Sequence, residues 1–570
     1  MNYRWSVAPA QPLLAGQLAG QVGVSPLLIQ CLLNRGFSEP AAIRNFLDPR
    51  LRQLADPFLV TDMKKAVDRL FVARERRESI VIFGDYDVDG VSSATLLMEV
   101  FGALGWQADC YLPHRMDEGY GLSQEAVENC LKKFPATLLL AVDCGSTAVE
   151  PIAWLQSRGV DVIVLDHHQV SAPAPKVVAL VNPLAGPAGS SYTELCSVGL
   201  AFKLAHALVK RGRDIRMPGA ADYDLRPLLD LVALGTVADM AGLIGENRLL
   251  VSAGLERLST TQRPGLQALK EVAQCQADIG VYEVGFQLGP RLNAAGRLEN
   301  AEESLRLLLA HDLTGALPIA RQLDAQNRER QKIERTILDE VTGALRARFN
   351  PETDFVIVEG QLMWHIGVVG IVASRVMHEF YRPTIIIGGE GNEWRGSGRS
   401  IPGFDLAAAL RECDDLLVRH GGHAMAAGLT IQPEKIDAFR QRLNGIVRRS
   451  IKPEDLQPSL RLDAEVGLDE LSLVSLEELD RLRPMGQGNP STQFYARNLT
   501  HQRPLQRIGL EWQHVKMWVT DGTTTHEAIW WNGGGESLPT GKFDLAFGTK
   551  INQYNGRRSV QLRVLDWRPA

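Results

Sequence analysis

SIVIFGDYDVDG, residues 79–90, places a short apolar run directly before three closely spaced aspartates. Two further runs have the same layout, LLLAVDCG at 138–145 and VIVLDHH at 162–168. Short, β-branched and continuously apolar runs are typical of strands that are buried on both faces of a parallel sheet. Helix-like segments alternate with such runs between residues 55 and 300, which predicts a doubly wound α/β domain.

The polar residues that follow these strands are expected to lie at one edge of the sheet. In open parallel sheets, ligands gather outside the carboxyl ends of the strands. Five carboxylates at one edge repel each other unless cations neutralise them, so the pattern predicts a divalent metal site. The predicted group comprises Asp85, Asp87, Asp89, Asp143, Asp166, His167 and His168.

Two other interpretations of the aspartates fit less well. A calcium-binding EF-hand loop needs a glutamate at its twelfth position, where this chain has Leu96, and it needs a preceding helix rather than a strand. Each aspartate could instead cap the following helix, which is an ordinary role for a single aspartate at the end of a strand. Capping explains one such residue better than it explains the whole set.

The donor types indicate which ions the site would hold. Carboxylate and imidazole ligands without thiolate suit Mn²⁺ or Mg²⁺, and Zn²⁺ suits them less. The set has more carboxylates than one ion needs, which favours two ions that share a bridging ligand. Two such ions activate a water and stabilise an in-line displacement at phosphorus. We therefore expect a two-metal centre that hydrolyses a phosphoester.

The rest of the chain divides into segments of different pattern. Residues 319–342 contain neither glycine nor proline and are rich in charge, which predicts one long connecting helix. A second, smaller α/β unit begins near Asp354, and the C-terminal part has short strand-like runs separated by turn residues, typical of a small β-barrel or sandwich. The predicted segments are an N-terminal helical segment (1–54), the doubly wound domain (55–300), the connecting helix (301–348), the second α/β domain (349–450) and the C-terminal β domain (455–570).

Composition limits the classes of protein to which the chain can belong. With 570 residues, 45% of them hydrophobic, it is long enough for several buried cores. It has no run of about 18 to 20 apolar residues, which a membrane span requires, and its first residues lack the pattern of a secretion signal. Seven cysteines without Cys-x-x-Cys spacing argue against a disulfide framework and a thiolate zinc site. These features favour a cytoplasmic protein without a membrane partner.

Several polar residues lie in segments that a phosphodiester could approach closely. Arg291 and Arg297 flank Asn293 among small residues, and an arginine guanidinium binds phosphate through two parallel hydrogen bonds. The stretch WRGSGRS at 394–400 combines cations, hydroxyls and flexible backbone donors, which is the chemistry of an anion nest. The alternatives are solvated arginines and tight glycine turns. The predicted substrate contacts are Arg115, Arg291, Asn293, Arg297, Ser397, Arg399, Gly422 and His423.

The C-terminal part predicts a surface for single-stranded nucleic acid. The formal net charge of the whole chain is −6, but residues from 490 onward are basic on balance and rich in aromatic residues. Exposed aromatic rings beside arginines stack bases without reading their sequence. The alternative is that the rings belong to the core, and we expect this of about half of them. The aromatic and basic residues are Trp512, Trp518, Trp530, Trp531, Tyr554, Arg557, Arg558 and Trp567.

The motifs together resemble those of a known family. The stretch DHH at 166–168, with the run 85–90, resembles the DHH phosphoesterases, and the wider set is similar to the RecJ single-strand exonucleases of that family. One departure is visible, because the family usually continues GTVAD with x-x-Pro-Leu, where this chain has MAGL at 240–243. The other matching segments are PHRMDEGYG (113–121), GTVAD (235–239), RLNAAGR (291–297) and GGHA (421–424).

The resemblance implies a fold and a set of residue roles. It implies a DHH domain, a smaller DHH-associated domain and a C-terminal OB-type β-barrel. The implied metal ligands are Asp85, Asp87, Asp89, Asp143, His167 and Asp239. The implied catalytic residues are Asp87, Asp89, Asp143, His167, His168 and His423.

The activity implied by the resemblance is hydrolysis of single-stranded DNA from 5′ to 3′ into 5′ mononucleotides, with two Mn²⁺ or Mg²⁺ ions, in DNA repair and recombination. An alternative is a DHH phosphodiesterase that acts on short oligonucleotides or cyclic dinucleotides. A catalytically inactive scaffold is less favoured, because every inferred metal position keeps an oxygen or nitrogen donor. The family also implies single-strand binding protein and a helicase as partners, and the built-in multidomain cleft favours a monomer.

Overall fold

The computed structural model describes residues 3–114, 117–119, 121–186, 189–190, 192–389 and 391–570. The chain forms two compact units. One comprises residues 51–456, and the other comprises residues 1–50 together with 457–570. The N-terminal segment thus shares a unit with the C-terminal domain.

The larger unit begins with a five-stranded sheet, here called the first sheet, in which all neighbouring strands are parallel. Its strands, in spatial order, are Ala108–Tyr111, Ile80–Gly84, Leu138–Val142, Asp161–Leu165 and Ala179–Val181. The chain order reverses between the second and third of these strands, which is the position where open α/β sheets bind ligands. The predicted parallel sheet is confirmed, and its reversal point lies between the strands that precede Asp85 and Asp143.

Helices cover both faces of the first sheet because its strands alternate side chains between two cores. Ile80 and Ile82 pack into one core with the helices Met63–Arg76 and Val88–Leu104. Val81 and Phe83 pack into the other core. The further helices of this part are Gln124–Lys133, Val149–Ser157, Ser197–Asp214, Leu229–Ala238, Gly245–Ser259, Pro264–Val272, Val281–Glu283, the π-helix Val284–Leu288, Gly289–Leu298 and Glu302–Leu308.

A helix of 36 residues, Leu313–Arg348, leads to the second sheet of the same unit. Pro318 lies inside this helix, in its second turn, and its ring nitrogen lacks the N–H that would donate to the carbonyl oxygen of Thr314. The second sheet is mixed, with one parallel pair and three antiparallel pairs. Its strands in spatial order are Leu417–Gly422, Ala426–Ile431, Trp394–Arg399, Thr384–Gly389 and Ile357–Leu362. Its helices are Val369–Phe380, Leu406–Arg411 and Ile436–Ser450.

The smaller unit brings the two ends of the chain together. Its N-terminal strand, Arg4–Val7, pairs in parallel with Ser459–Leu462. Gln493–Ile508 pairs with both His514–Thr520 and Phe543–Tyr554, so the pairing of the larger sheet closes into a circuit. The other strands are Ala464–Glu465, Thr525–Trp530 and Arg557–Pro569. The helices are Pro12–Val22, Pro26–Leu33, Pro40–Leu47 and Leu473–Asp480.

One core joins the N-terminal helices to the sheet of this unit, because Leu28, Ile29 and Leu32 lie in the same cluster as Phe494 and Phe547. Among the described residues, no single helix combines the length and apolar composition of a membrane span. Only the bent pair formed by Pro12–Val22 and Pro26–Leu33 meets those criteria jointly.

Candidate metal centre and phosphate-binding groups

The turn after the Ile80–Gly84 strand is held tightly by its own residues. The Asp87 side chain caps the next helix, since Oδ1 accepts hydrogen bonds from the backbone N–H groups of Asp89 (2.9 Å) and Gly90 (3.1 Å). A Cβ atom at Gly90 would lie 2.5 Å from the carbonyl oxygen of Asp85, so only glycine fits there. Capping is therefore part of the role of Asp87. Asp85 and Asp89 are buried, which capping alone does not explain.

Asp143 follows the neighbouring strand in a strained backbone conformation. Its φ is +62°, in the left-handed region that non-glycine residues rarely adopt. Such strain is maintained where surrounding contacts fix it, and it concentrates at functional sites. Asp143 is 1% exposed, and its Oδ1 accepts a hydrogen bond from Ser197 Oγ at 2.8 Å.

The start of the helix Ser197–Asp214 is directed at these carboxylates. The backbone N–H groups of Ser197 and Val198 each donate to Asp89, at 2.8 Å. A helix N-terminus favours negative charge, so this contact stabilises the ionised carboxylate. Ser197 was not among the residues predicted from the sequence. A serine at the start of a helix normally caps that helix, so its position gave no sign of a hydrogen bond to a distant aspartate.

The third strand end carries two histidines in different environments. Asp166 Oδ1 accepts a hydrogen bond from the His168 backbone N–H at 3.1 Å and lies 2.8 Å from His168 Nδ1. Asp166 Oδ2 accepts from the Ser146 backbone N–H at 3.0 Å. Asp166 thus orients His168, a role that the motif alone did not assign to it. His167 Nε2 is buried and, within the described part of the chain, has no hydrogen-bond partner.

The polar atoms of the centre divide into two groups of three potential ligands. His167 Nε2 lies 3.5 Å from Asp143 Oδ1, 3.8 Å from Asp239 Oδ2 and 3.9 Å from Asp89 Oδ2. Within each group the ligand atoms lie within 4.8 Å of one another. The two groups are Asp89, His167, Asp239 and Asp85, Asp87, Asp143. A further overlapping group, Asp143, His167 and His168, connects them.

Three carboxyl groups of the centre, those of Asp89, Asp143 and Asp239, resist ionisation. Burial and the charge of Asp87 raise the pKa of Asp89 to about 7. Burial and the charges of Asp89 and Asp87 raise the pKa of Asp239 to about 9. The same causes raise the pKa of Asp143 well above its usual range. Carboxyl groups of this kind release their protons when cations bind, so the cluster is built to exchange protons for cations.

The two histidines are separated in pKa by their surroundings. Burial and the nearby charge of His168 lower the pKa of His167 to about 4, which keeps His167 neutral, as a metal ligand must be. Burial opposes protonation of His168, but its hydrogen bond to Asp166 raises its pKa to about 9. The same pairing outweighs burial at Asp166 and lowers the pKa of that carboxyl well below its usual range.

The donor set fits Mn²⁺ or Mg²⁺. Oxygen donors with one neutral imidazole suit these ions, whereas thiolates would favour Zn²⁺. The nearby thiols of Cys144 and Cys196 are buried, and burial raises the pKa of both well above the usual range. They therefore stay protonated and are poor ligands. Asp239 completes the set just after the helix Leu229–Ala238, and the following Met240 has a left-handed φ of +61°.

The helix Gly289–Leu298 brings some of the predicted phosphate-binding residues to the centre. Asn293 Oδ1 accepts a hydrogen bond from the Val88 backbone N–H at 3.2 Å, which fixes this helix against the aspartate turn. Arg297 donates to the carbonyl oxygen of Gly367 at 3.2 Å, between the two α/β parts of the larger unit. Arg291 instead pairs with Asp324 at 2.9 Å in a largely buried position. Arg291 is thus held by an ion pair inside the protein, and its predicted contact with phosphate stays a prediction.

Ser397 and Arg399 lie side by side on one strand of the second sheet. Arg399 donates to Ser397 Oγ at 3.0 Å. A Cβ at Gly370 would meet Ser397 Oγ at 2.8 Å, so these residues contact the first turn of the helix Val369–Phe380. An arginine, a hydroxyl and a helix N-terminus together favour an anion.

The remaining predicted substrate contacts lie in a turn of the second sheet or outside the described residues. Gly422 ends a strand, and the exposed His423 follows it in a turn where its backbone N–H donates to Ala426 at 2.8 Å. Gly422 has a φ of +136°, and a Cβ there would lie 2.5 Å from Ala426 O. Arg115 lies outside the described residues.

A small cavity of about 140 Å³, here called the basic cavity, lies beside the centre and includes two arginines. It is lined by Ala238, Gly285, Gly289, Pro290, Asn293, Arg297, Arg330 and Ile371. Its wall therefore combines the residue before Asp239, the helix that contacts the aspartate turn, the connecting helix and the second α/β part.

The predicted aromatic residues of the smaller unit lie in three kinds of environment. Trp530 and Trp567 pack against the core. Trp512, Trp531 and Tyr554 are exposed. The ring of Trp518 is covered by the Arg503 guanidinium at 3.6 Å, a cation–π contact on a half-buried surface.

Models of three protein families match successive parts of the chain. The model of the DHH family, N-terminal domain, matches residues 79–236, that of the DHHA1 domain matches 353–449, and that of the RecJ OB domain matches 462–566. The order of these domains is the order predicted from the motifs.

Known proteins and solved structures match nearly the whole chain. A protein named single-stranded-DNA-specific exonuclease RecJ, from Bacillus subtilis (strain 168), is 36% identical over 571 residues, covering 99% of this chain and 70% of that protein. The crystal structure of RecJ in complex with Mn²⁺ from Thermus thermophilus matches with a TM-score of 0.85 and 29% identity. The complex with Mg²⁺ from the same organism matches with a TM-score of 0.79 and 28% identity. Both cover 100% of this chain and, respectively, 80% and 78% of the solved chains.

Proposed function

The chain belongs to the RecJ family of DHH phosphoesterases, and we propose that it is a metal-dependent exonuclease that degrades single-stranded DNA from its 5′ end into 5′ mononucleotides. The observation that carries the proposal is the pair of three-ligand groups at the reversal point of the first sheet. Six donors in two adjoining groups fit two divalent ions, which is the arrangement used for displacement at phosphorus.

The residues of the centre would hold and orient the reactants. When bound, Mn²⁺ or Mg²⁺ supplies Lewis acidity at the phosphoryl oxygens and lowers the pKa of a coordinated water. Asp143 belongs to one ligand group and lies 3.5 Å from His167 of the other, and Ser197 fixes the rotation of its carboxylate. His168 stays protonated near neutral pH through Asp166, so its ring offers positive charge and an N–H donor to a phosphate oxygen.

The phosphate groups of the strand would be bound from the second α/β part. Arg297 lies where the two α/β parts meet, through its contact with Gly367. Ser397 and Arg399, with the first turn of the neighbouring helix, offer the donors that a terminal phosphate needs. We assign 5′-phosphate recognition to this group, which supports a polarity that starts at the 5′ end.

The family resemblance extends the proposal to the setting of the reaction. The proposal includes a role in DNA repair and recombination, a cytoplasmic location and a monomeric state. Single-strand binding protein and a helicase are the partners that the resemblance implies. Sedimentation of the protein, alone and mixed with each purified partner, tests the monomer and the contacts.

The test uses long single-stranded DNA labelled separately at each end, with Mn²⁺ and with an EDTA control. We expect immediate release of 5′-labelled mononucleotide, while the 3′ label stays in long fragments. Hydrolysis of only very short oligonucleotides would instead support the short-substrate phosphodiesterase. Binding without hydrolysis in either metal would support the inactive scaffold. Early release of the 3′ label would contradict the assigned polarity.

A further inference from the structure

Two aromatic side chains are stacked on each other and exposed near the metal centre. The ring centroids of Tyr282 and Phe286 lie 5.1 Å apart with an interplanar angle of 28°. Tyr282 is 61% exposed and Phe286 is 71% exposed. Large aromatic rings are normally buried, so an exposed, preformed stack is the informative kind of exception. We call these two residues the aromatic pair.

The aromatic pair belongs to the helical segment that reaches the aspartate turn. Phe286 lies in the π-helix Val284–Leu288, which continues directly into the helix Gly289–Leu298. A Cβ at Gly289 would lie 3.4 Å from Ala238 Cβ, beside the ligand Asp239. π-Helical turns occur often at functional sites, because the wide turn changes the face that a helix presents.

The same segment connects the aromatic pair to the predicted phosphate contacts. Asn293 and Arg297 follow Phe286 by seven and eleven residues on the same continuous helical segment. At about 1.5 Å of rise per residue, Phe286 and Asn293 are separated by about 10 Å along the axis, or about three stacked nucleotides. Gly285, beside Phe286, lines the basic cavity together with Arg297 and Arg330.

We propose that the aromatic pair is a stacking site for a base of single-stranded DNA, a few nucleotides from the scissile phosphate. The inference rests on the proposed exonuclease function and adds a base-binding site to its phosphate-binding groups. Flat, exposed rings suit unpaired bases of any sequence, because every base has a π face. A paired base offers no free face, so the site also favours single strands over duplex.

Binding is measured in EDTA, with 5′-phosphorylated oligodeoxynucleotides that carry one 2-aminopurine at successive positions from the 5′ end. We expect the wild-type protein to change the fluorescence most at one position near that end. The double variant Tyr282→Ala/Phe286→Ala should lose this change and bind the strand about tenfold more weakly, as expected for the loss of one stacked base. The exchange variant Tyr282→Phe/Phe286→Tyr keeps both rings and should behave as wild type.

An abasic nucleotide at the responsive position provides the second measurement. It should weaken binding by the wild-type protein about tenfold. It should not weaken binding by the double alanine variant further, because the two changes remove the same contact. In Mn²⁺, the double variant should raise KM for the strand and leave kcat nearly unchanged.

The possible outcomes distinguish failure of the stacking site from failure of the exonuclease proposal. Equal affinity and equal fluorescence for wild type and double variant would overturn the stacking site, and so would additive effects of the abasic and alanine changes. In both cases the exonuclease function would stand if the wild-type protein still released 5′ mononucleotide. A wild-type protein that neither binds nor cleaves the strand would overturn the exonuclease proposal and, with it, this inference.

Discussion

Ser197→Ala should weaken Mn²⁺ binding by about 10- to 100-fold, since a hydrogen bond to an ionised group contributes about 1.5–3 kcal/mol and 1.4 kcal/mol corresponds to tenfold. The hydroxyl of Ser197 donates to Asp143 Oδ1 at 2.8 Å, in a position where Asp143 is 1% exposed. Without it, the buried carboxylate has one donor fewer when it is ionised.

The effect should fall mainly on the cation-bound protein. Burial and neighbouring charges raise the pKa of Asp143 well above its usual range, so Asp143 holds a proton when no cation is bound. Cation binding ionises the carboxyl, and the hydrogen bond from Ser197 is then charge-assisted and stronger. The variant should therefore bind Mn²⁺ more weakly, while its stability in EDTA should change little.

Mn²⁺ binding is measured by electron paramagnetic resonance of the free ion, and stability by thermal unfolding in EDTA. Ser197→Thr keeps the hydroxyl and should restore most of the affinity. Ser304→Ala is the matched control, because Ser304 is equally buried and its Oγ donates to the carbonyl oxygen of Leu292 at 2.9 Å, outside the centre. Wild-type Mn²⁺ affinity in Ser197→Ala would show that the hydrogen bond to Asp143 does not support cation binding.

Four further predictions concern the cations and the two units. Asp143→Ala should reduce hydrolysis to background and leave DNA affinity in EDTA nearly unchanged, and turnover with Mn²⁺ near the wild-type level would contradict its role as a metal ligand. Mn²⁺ affinity should rise with pH through the range of about 7 to 9, where Asp89 and Asp239 lose their protons; titrations across this range that show constant affinity would exclude the proton exchange. In EDTA, both raised pKa values contribute stability that is fully present below the usual carboxyl pKa of 3.8 and is lost as the pH rises through about 7 for Asp89 and about 9 for Asp239. The melting temperature should therefore fall between about pH 4 and about pH 9 and recover with Mn²⁺. Deletion of 457–570 alone should expose the apolar N-terminal helices and cause aggregation, whereas the fragment 51–456 should stay monodisperse in size-exclusion chromatography, and equal behaviour of the two would contradict the shared core.

The strand ends that form the metal centre were predictable because they depend on local pattern. Each apolar run is continuous, each ends at an acidic residue, and parallel strands place those ends together. Asp143 could be placed at the edge of the sheet in this way, but its left-handed backbone could not. Ser197 was not predictable as a contact of Asp143, since the two residues are 54 positions apart and meet only in the folded chain.

The features that escaped prediction depend on distant partners. The sequence around Arg291 indicates phosphate binding, yet the structure pairs it with Asp324, 33 residues later. Asp324 lies on the connecting helix, whose packing against the helix of Arg291 no local pattern records. Likewise, Arg4–Val7 pairs with Ser459–Leu462 across most of the chain, so the N-terminal segment belongs to the unit of the C-terminal domain.

The most direct test of the two-ion centre is anomalous diffraction at the manganese absorption edge from crystals of the protein soaked in Mn²⁺. We expect two peaks, one among Asp89, His167 and Asp239 and the other among Asp85, Asp87 and Asp143. A single peak at saturating Mn²⁺, or peaks away from both groups, would contradict the two-ion centre.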